Sequence, residues 1–237
     1  MTKENHIISI KPEPTDIARN IYQEEEVIEN FDAKFGKILS KEENVIRKFI
    51  LRQSPVLGEI PSLEHIKKEF TQLSDEKVDE ILSKLDQFDI IHLNDDKTSI
   101  AAAYPFSGSK TSHIVTIKND RYKKIYSMCA VDALGVCFMF NCDVSIDSHC
   151  HHCKDEVKIE IMDNKINYFK PKNIVVWYDR EYSCCAAISQ CKNINFFSSE
   201  QHFNDWQKGK PRRKGNLLQL QDAFYFGKKY FENRLKN

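Results

Sequence analysis

The spacing of apolar residues changes near residue 90, and that change limits what the chain can fold into. From Glu42 to Leu51, Val45, Ile46, Phe49 and Ile50 recur at helical intervals. Ser62 can cap a short helix bearing Ile66 and Phe70. Ser74 can cap another, with Val78, Ile81, Leu82 and Leu85 on one face. Ile90-Ile91-His92-Leu93 then reads as a strand, Asn94 to Lys97 as a turn, and Ser99 to Tyr104 as a return strand.

Three helices and a hairpin over residues 41–105 make a winged-helix-like unit. Units of this kind often bind DNA, but the helix that would enter the groove carries Asp75, Glu76, Asp79, Glu80 and Asp86 against Lys77 and Lys84. Its net negative charge opposes phosphate, so a structural lid or dimerisation module is the favoured role. Residues 1–40, with the acidic run Glu24-Glu25-Glu26, read as a polar, mobile or loosely docked arm with a short helix near Asp16 to Phe31. Residues 106–237 form the second main region. Helical spacing runs from Lys123 to Phe140, where Ala130, Ala133 and Gly135 permit close packing. Strands are expected over Asp143–Asp147, Val157–Met162 and Asn173–Trp177, and Ala186–Phe197 reads as strand-rich. Ser199 can cap a helix through Trp206, and an amphipathic helix is expected from Asn216 to Leu235. The fold class is α+β: a winged-helix-like helical domain, then a mixed or antiparallel sheet domain with packed helices.

Bulk properties narrow the function. Lys+Arg and Asp+Glu are both 35, so net charge gives no general attraction to nucleic acid or anionic membrane. No apolar run approaches the roughly 18 residues of a membrane span, and the polar start lacks a signal-peptide core. A cytoplasmic location is expected, with reduced thiols. All 8 cysteines lie between residues 129 and 191, which concentrates the thiol chemistry in one half of the chain. There is no Gly-rich phosphate loop, Gly-x-Ser-x-Gly or His-Glu-x-x-His.

Cys129 and Asp132 are three residues apart, within reach of each other if the segment is helical. An Asp in an apolar helix is costly to bury, so it either faces solvent or is held protonated or hydrogen-bonded. A neutral carboxyl in a dry pocket can donate a proton. The plainer reading is a core thiol and a surface acid. Cys191, before Lys-Asn-Ile-Asn-Phe-Phe, is equally ambiguous alone. If the fold joins Cys129 and Cys191, the chain has two thiols for a soft metal beside an acid. Ser148-His149-Cys150-His151-His152-Cys153 resembles half a zinc site. His149, His151 or His152 could add ligands, or Cys184-Cys185 could complete the set from across the sheet. A polar turn is the alternative. Adjacent Cys184 and Cys185 would point to opposite faces of a strand.

These segments resemble the organomercurial (alkylmercury) lyase family. Cys129-Ala130-Val131-Asp132-Ala133-Leu134 looks like its Cys-Ala-x-Asp-x-Leu motif, and Ser148-His149-Cys150 like its Ser-His-Cys strand end. Cys191 to Phe197, with Ser199 to Trp206, looks like its Cys-x-x-x-x-Phe-Phe-Ala-Ser segment and downstream Trp. Asp222-Ala223-Phe224, Gly227, Phe231 and Arg234-Leu235 resemble its final helix. The resemblance runs from about residue 40 to the end. It implies that Cys129 and Cys191 are the two essential cysteines, Asp132 the essential acid and Cys150 a structural cysteine, and that the N-terminal domain is winged-helix-like. It further implies protonolysis of a carbon–mercury bond without a required cofactor, Hg(II) as bound product, and low-molecular-weight thiols or a mercuric reductase as acceptors. Lys192 stands where the family often has a second cysteine, while Cys184-Cys185 lies upstream. Cys184 or Cys185 is therefore a rival working thiol, although spacing to Phe196-Phe197 and Trp206 favours Cys191. Cys150, Cys153, Cys184 and Cys185 remain candidate accessory metal ligands, with structural zinc at Cys150/Cys153. The main rival function is a non-catalytic Hg, Cu or Zn binding or sensing protein on the same scaffold.

Overall fold

A computed structural model describes residues 9–24, 38–209, 211 and 213–236. It combines helices with antiparallel sheets, an α+β architecture. Helix α1 (Asp16–Glu24) is the first described helix; the rest of the helix expected to Phe31, including Glu25 and Glu26, lies outside the described residues. The described part of the arm is docked. Ile10 bridges to Ile166, Ala18 and Ile21 enter the main core, and Thr15 donates to the Asp222 carboxylate from its N–H at 2.9 Å and its hydroxyl at 3.0 Å.

Helices α2 (Lys41–Leu57), α3 (Leu63–Glu69) and α4 (Asp75–Gln87) start at Ser40, Ser62 and Ser74. Each serine accepts the N–H three residues on, pairing an amide that a helix start leaves free. Ser40 and Glu43 complete a reciprocal capping box. Ile46, Ile50, Ile66, Val78, Ile81, Leu82 and Leu85 share one core. Strands β1 (His92–Leu93), β2 (Ile100–Ala103) and β3 (Phe106–Ser107) form an antiparallel sheet beside it. Because β3 lies beyond residue 105, this sheet bridges the expected division.

The second region holds β4 (Ile114–Ile117), β5 (Ile125–Tyr126), helix α5 (Ala130–Phe140), β6 (Val144–His149), β7 (Glu156–Met162) and β8 (Lys165–Lys170). The strands form an antiparallel sheet in the order β5-β4-β6-β7-β8. Strand β9 (Val175–Asp179) lies between β10 (Asn195–Phe197) and β11 (Gly215–Gln219), both antiparallel to it. Helices α6 (Ala186–Ser189), α7 (Glu200–Gln207) and α8 (Leu220–Phe231) complete the chain. Ser199 caps α7.

Three segments depart from their sequence periodicity. Lys123–Phe140 is not one helix: Ile125 and Tyr126 pair with β4, and Cys129, extended at φ −151° and ψ 177°, starts α5. Ala186–Phe197 is strand only at β10; Ser189 N–H to Cys185 carbonyl and Ile194 N–H to Cys191 carbonyl close tight turns before it. The segment from Asn216 begins as a strand because β9 supplies a pairing partner. A Cβ at Gly215 would meet the Trp177 ring at 2.5 Å, so the close approach needs glycine there. Helices α5 and α8 also cross closely, since a Cβ at Gly135 would lie 2.1 Å from Phe231.

The β9 sheet has two covered faces. Val176, Tyr178 and Phe196 enter the main core, which includes Cys129 and Cys191. Val175, Trp177 and Phe197 enter a small aromatic cluster with Phe203 and Cys150. Strand alternation sends neighbouring residues to opposite sides. No described helix is long and apolar enough to cross a membrane.

Candidate active site

The main core brings together thiols that are far apart in sequence. Cys129 is the N-cap of α5, and its Sγ accepts the Asp132 N–H at 3.4 Å. The next residue, Ala130, donates its N–H to the Ile194 carbonyl at 3.1 Å. That bond ties the helix start to the short 3-10 turn Cys191–Asn193. The sulfurs of Cys129 and Cys191 and a carboxylate oxygen of Asp132 consequently lie within 4.8 Å of one another. They are 2%, 6% and 6% exposed, so the trio is almost dry.

Dry surroundings set the protonation states. Burial pushes the Cys129 thiol well up, reinforced by Cys191 and Asp132. The hydrogen bond with Cys129 lowers Cys191, but burial and the charge of Asp132 outweigh it and leave that thiol raised. Burial lifts Asp132 to about 7, against hydrogen bonds from both thiols and the charge of Arg234. Asp132 Oδ2 is buried with no hydrogen-bond partner among the described residues. The resting trio is therefore two thiols and a carboxyl that can take or give a proton near neutrality. The amides at the start of α5 favour any thiolate formed at Cys129.

Residues not singled out from the sequence hold the Cys191 segment. Asp89, at φ 52°, accepts the Tyr104 hydroxyl at 2.7 Å, the Tyr182 hydroxyl at 3.0 Å and the Ala186 N–H at 2.8 Å. Tyr104 accepts the Ala187 N–H at 2.9 Å. Arg213 pairs with buried Asp179 and donates to the Ser189 carbonyl at 3.2 Å. No sequence motif marks Asp89, which sits between apolar Phe88 and Ile90, and its partners are 15 to 97 residues away.

A second trio comprises Cys150, Cys153 and His202, whose ligand atoms also lie within 4.8 Å of one another. His149, His151 and His152 are not members; His151 packs on Phe197 and Trp206, and His152 lies beside the His202 ring. Cys184 and Cys185 belong to neither trio. Cys184 is exposed and Cys185 buried, with their sulfurs 3.9 Å apart. His202 was missed because it is 49 residues from Cys153. Its one sequence signal was the Ser199 cap, which sets its place in the first turn of α7.

An α+β scaffold with a buried dithiol and acid defines a class of thiol-dependent site, and comparison with known proteins gives the family. Residues 106–232 match the family model for MerB, alkylmercury lyase. The chain belongs to the alkylmercury lyase family. It is 29% identical over 134 residues to an alkylmercury lyase of Bacillus cereus, covering 54% of this chain and 58% of that relative. The same values hold for the alkylmercury lyase of Clostridium butyricum, so the chain spans little more than half the length of these two relatives. The alkylmercury lyase of Staphylococcus epidermidis (strain ATCC 12228 / FDA PCI 1200) is 25% identical over 209 residues, 85% of this chain and 90% of that relative. A crystal structure of the mercury-bound form of MerB2 shares the fold, with TM-score 0.72 and 23% identity over 89% of this chain and 99% of the other.

Proposed function

We propose that this protein is an organomercurial lyase that cleaves carbon–mercury bonds by protonolysis: R–Hg⁺ and a proton give R–H and Hg²⁺. The observation that carries this reading is the buried Cys129–Asp132–Cys191 trio. A protein that only sequesters metal needs no proton donor beside its thiols. The substrate arrives as R–Hg carried on a small thiol. One enzyme thiol displaces that carrier and gives it a proton. Engagement of the second thiol releases a second proton, which Asp132 accepts. Mercury, a soft ion, then bears both thiolates, whose electron density makes its carbon basic. Asp132 returns the proton to carbon as the carbon–mercury bond breaks, so it acts as base and then as acid. Hydrocarbon leaves, and Hg(II) stays on Cys129 and Cys191 until low-molecular-weight thiols or a mercuric reductase remove it and the thiols regain their protons. The reaction requires no cofactor.

In this reading residues 41–105 are a winged-helix-like lid or dimerisation module, residues 106–237 the catalytic domain and residues 1–40 an arm. The acidic face of α4 argues against a nucleic-acid partner, and the protein works in the cytoplasm without a membrane partner. The test is headspace gas chromatography of methane from methylmercury with excess thiol. Several methane per protein, lost in Cys129→Ser and Asp132→Ala, supports the lyase. Stoichiometric mercury retention without methane overturns it in favour of a binding protein.

A further inference from the structure

On the other face of the β9 sheet, a second set of soft ligands has a geometry suited to a different ion. The β6–β7 turn is folded by Cys150 N–H to the Asp155 carbonyl at 2.8 Å and Lys154 N–H to the Cys150 carbonyl at 3.0 Å. It presents both thiols of Cys-x-x-Cys toward α7. There the Ser199 cap fixes the first turn by accepting the His202 N–H at 3.2 Å. His202 Nδ1 lies 3.7 Å from Cys150 Sγ and 3.3 Å from Cys153 Sγ. Tetrahedral zinc, with its usual bonds to sulfur and nitrogen, would separate those ligands by about 3.6 Å. The two sulfur–nitrogen distances straddle that value, and all three ligand atoms lie within 4.8 Å of one another. Cys150 is fully buried against the aromatic cluster, whereas Cys153 is exposed. The polar neighbours of Cys153 are Ser198 Oγ at 3.8 Å and the Asp155 side chain.

We propose that Cys150, Cys153 and His202 form a zinc(II) site separate from the Cys129–Asp132–Cys191 trio, with its fourth position open toward solvent on the Cys153 side. The ion clips the β6–β7 turn to α7, joining segments 49 residues apart. The site stands whether or not the lyase reading does, because it uses none of the same side chains. To test it, the full-length protein is stripped with chelator and titrated with Co(II), then with Zn(II) in competition. The expected result is one equivalent of Co(II) giving thiolate charge-transfer absorption and intense tetrahedral visible bands, displaced by Zn(II). Cys153→Ser and His202→Ala should each weaken zinc binding by more than about a hundredfold, beyond what loss of an outer-shell partner costs. Circular dichroism checks that both variants remain folded. A Cys129→Ser/Cys191→Ser double variant should keep the bands. Absence of the bands, their survival in both Cys153→Ser and His202→Ala, or their loss in the double variant overturns the proposal.

Discussion

The two cysteine trios use nearly the same donors but different surroundings. Cys129, Asp132 and Cys191 are all buried, and their third member is a carboxyl with one oxygen unpaired among the described residues. Cys150 is buried, but Cys153 is exposed and the third member is an imidazole. A dry carboxyl near pKa 7 suits proton delivery. An imidazole beside two thiols, one of them open to water, suits holding an ion. Burial and the third group, rather than cysteine content, separate the expected chemistries.

The strongest way to break this contrast is to remove a thiol from the dry trio. Cys129→Ser or Cys191→Ser should reduce methane formation by at least about ten-thousandfold, the scale lost when a member of a cooperating catalytic set is removed. A Cys191→Ser protein that cleaves at the normal rate would move the working thiol to Cys184 or Cys185. Asp132→Asn comes next, with turnover down about 10²–10⁴-fold, the usual contribution of a positioned acid–base group. Mercury capture, read by equilibrium dialysis, should persist. Equal loss of capture would make Asp132 a metal ligand instead.

Asp132 also distinguishes the trios by pH. Its folded value, about 7, lies above the ordinary 3.8, so between those values the folded chain holds a proton that the unfolded chain has lost. The stabilisation linked to this proton is complete below about pH 4 and declines as pH rises through 7, by roughly 4 kcal/mol at most. Melting temperatures of Asp132→Asn should fall less over that window than those of the parent; parallel curves would refute the raised carboxyl. Asp89→Ala should have a smaller effect. Loss of its bonds to Tyr182 and Ala186, in the segment before Cys191, and to Tyr104 should cut turnover about tenfold and stability by about 1–3 kcal/mol, with metal binding at Cys150 and Cys153 unchanged. An unchanged turnover would show that Cys191 does not depend on this latch. Cys153→Ser should have the least effect on methane production, within about twofold of the parent, because it lies outside the dry trio. A large loss would join the two sites functionally.

Much of the fold was legible because local rules acted without competition. The buried face of α4 followed apolar spacing; that of α2 did so at Ile46 and Ile50 but leaves Val45 55% exposed, and Phe70 caps the end of α3 rather than lying within it. Ser62, Ser74 and Ser199 cap where expected. Elsewhere, long-range pairing overrode local preference. Ile125–Tyr126 joined β4, and the apparent helix from Asn216 yielded its first residues to β9. Around Cys191, short backbone turns replaced the expected strand.

The sequence alone determined the chemical inventory: soft thiols confined to one half, an acid three residues after Cys129, and half of a metal motif at Cys150 and Cys153. Its motifs also carried the family resemblance. Only the tertiary structure decided which thiols meet. The Ala130–Ile194 hydrogen bond seats Cys191 by the start of α5, while Ser199 sets His202 opposite Cys153. Strand alternation puts Phe196 and Phe197 into different cores. Spacing along a chain fixes neighbours within a helical turn or a strand, but contacts across dozens of residues depend on how whole elements bury their apolar faces.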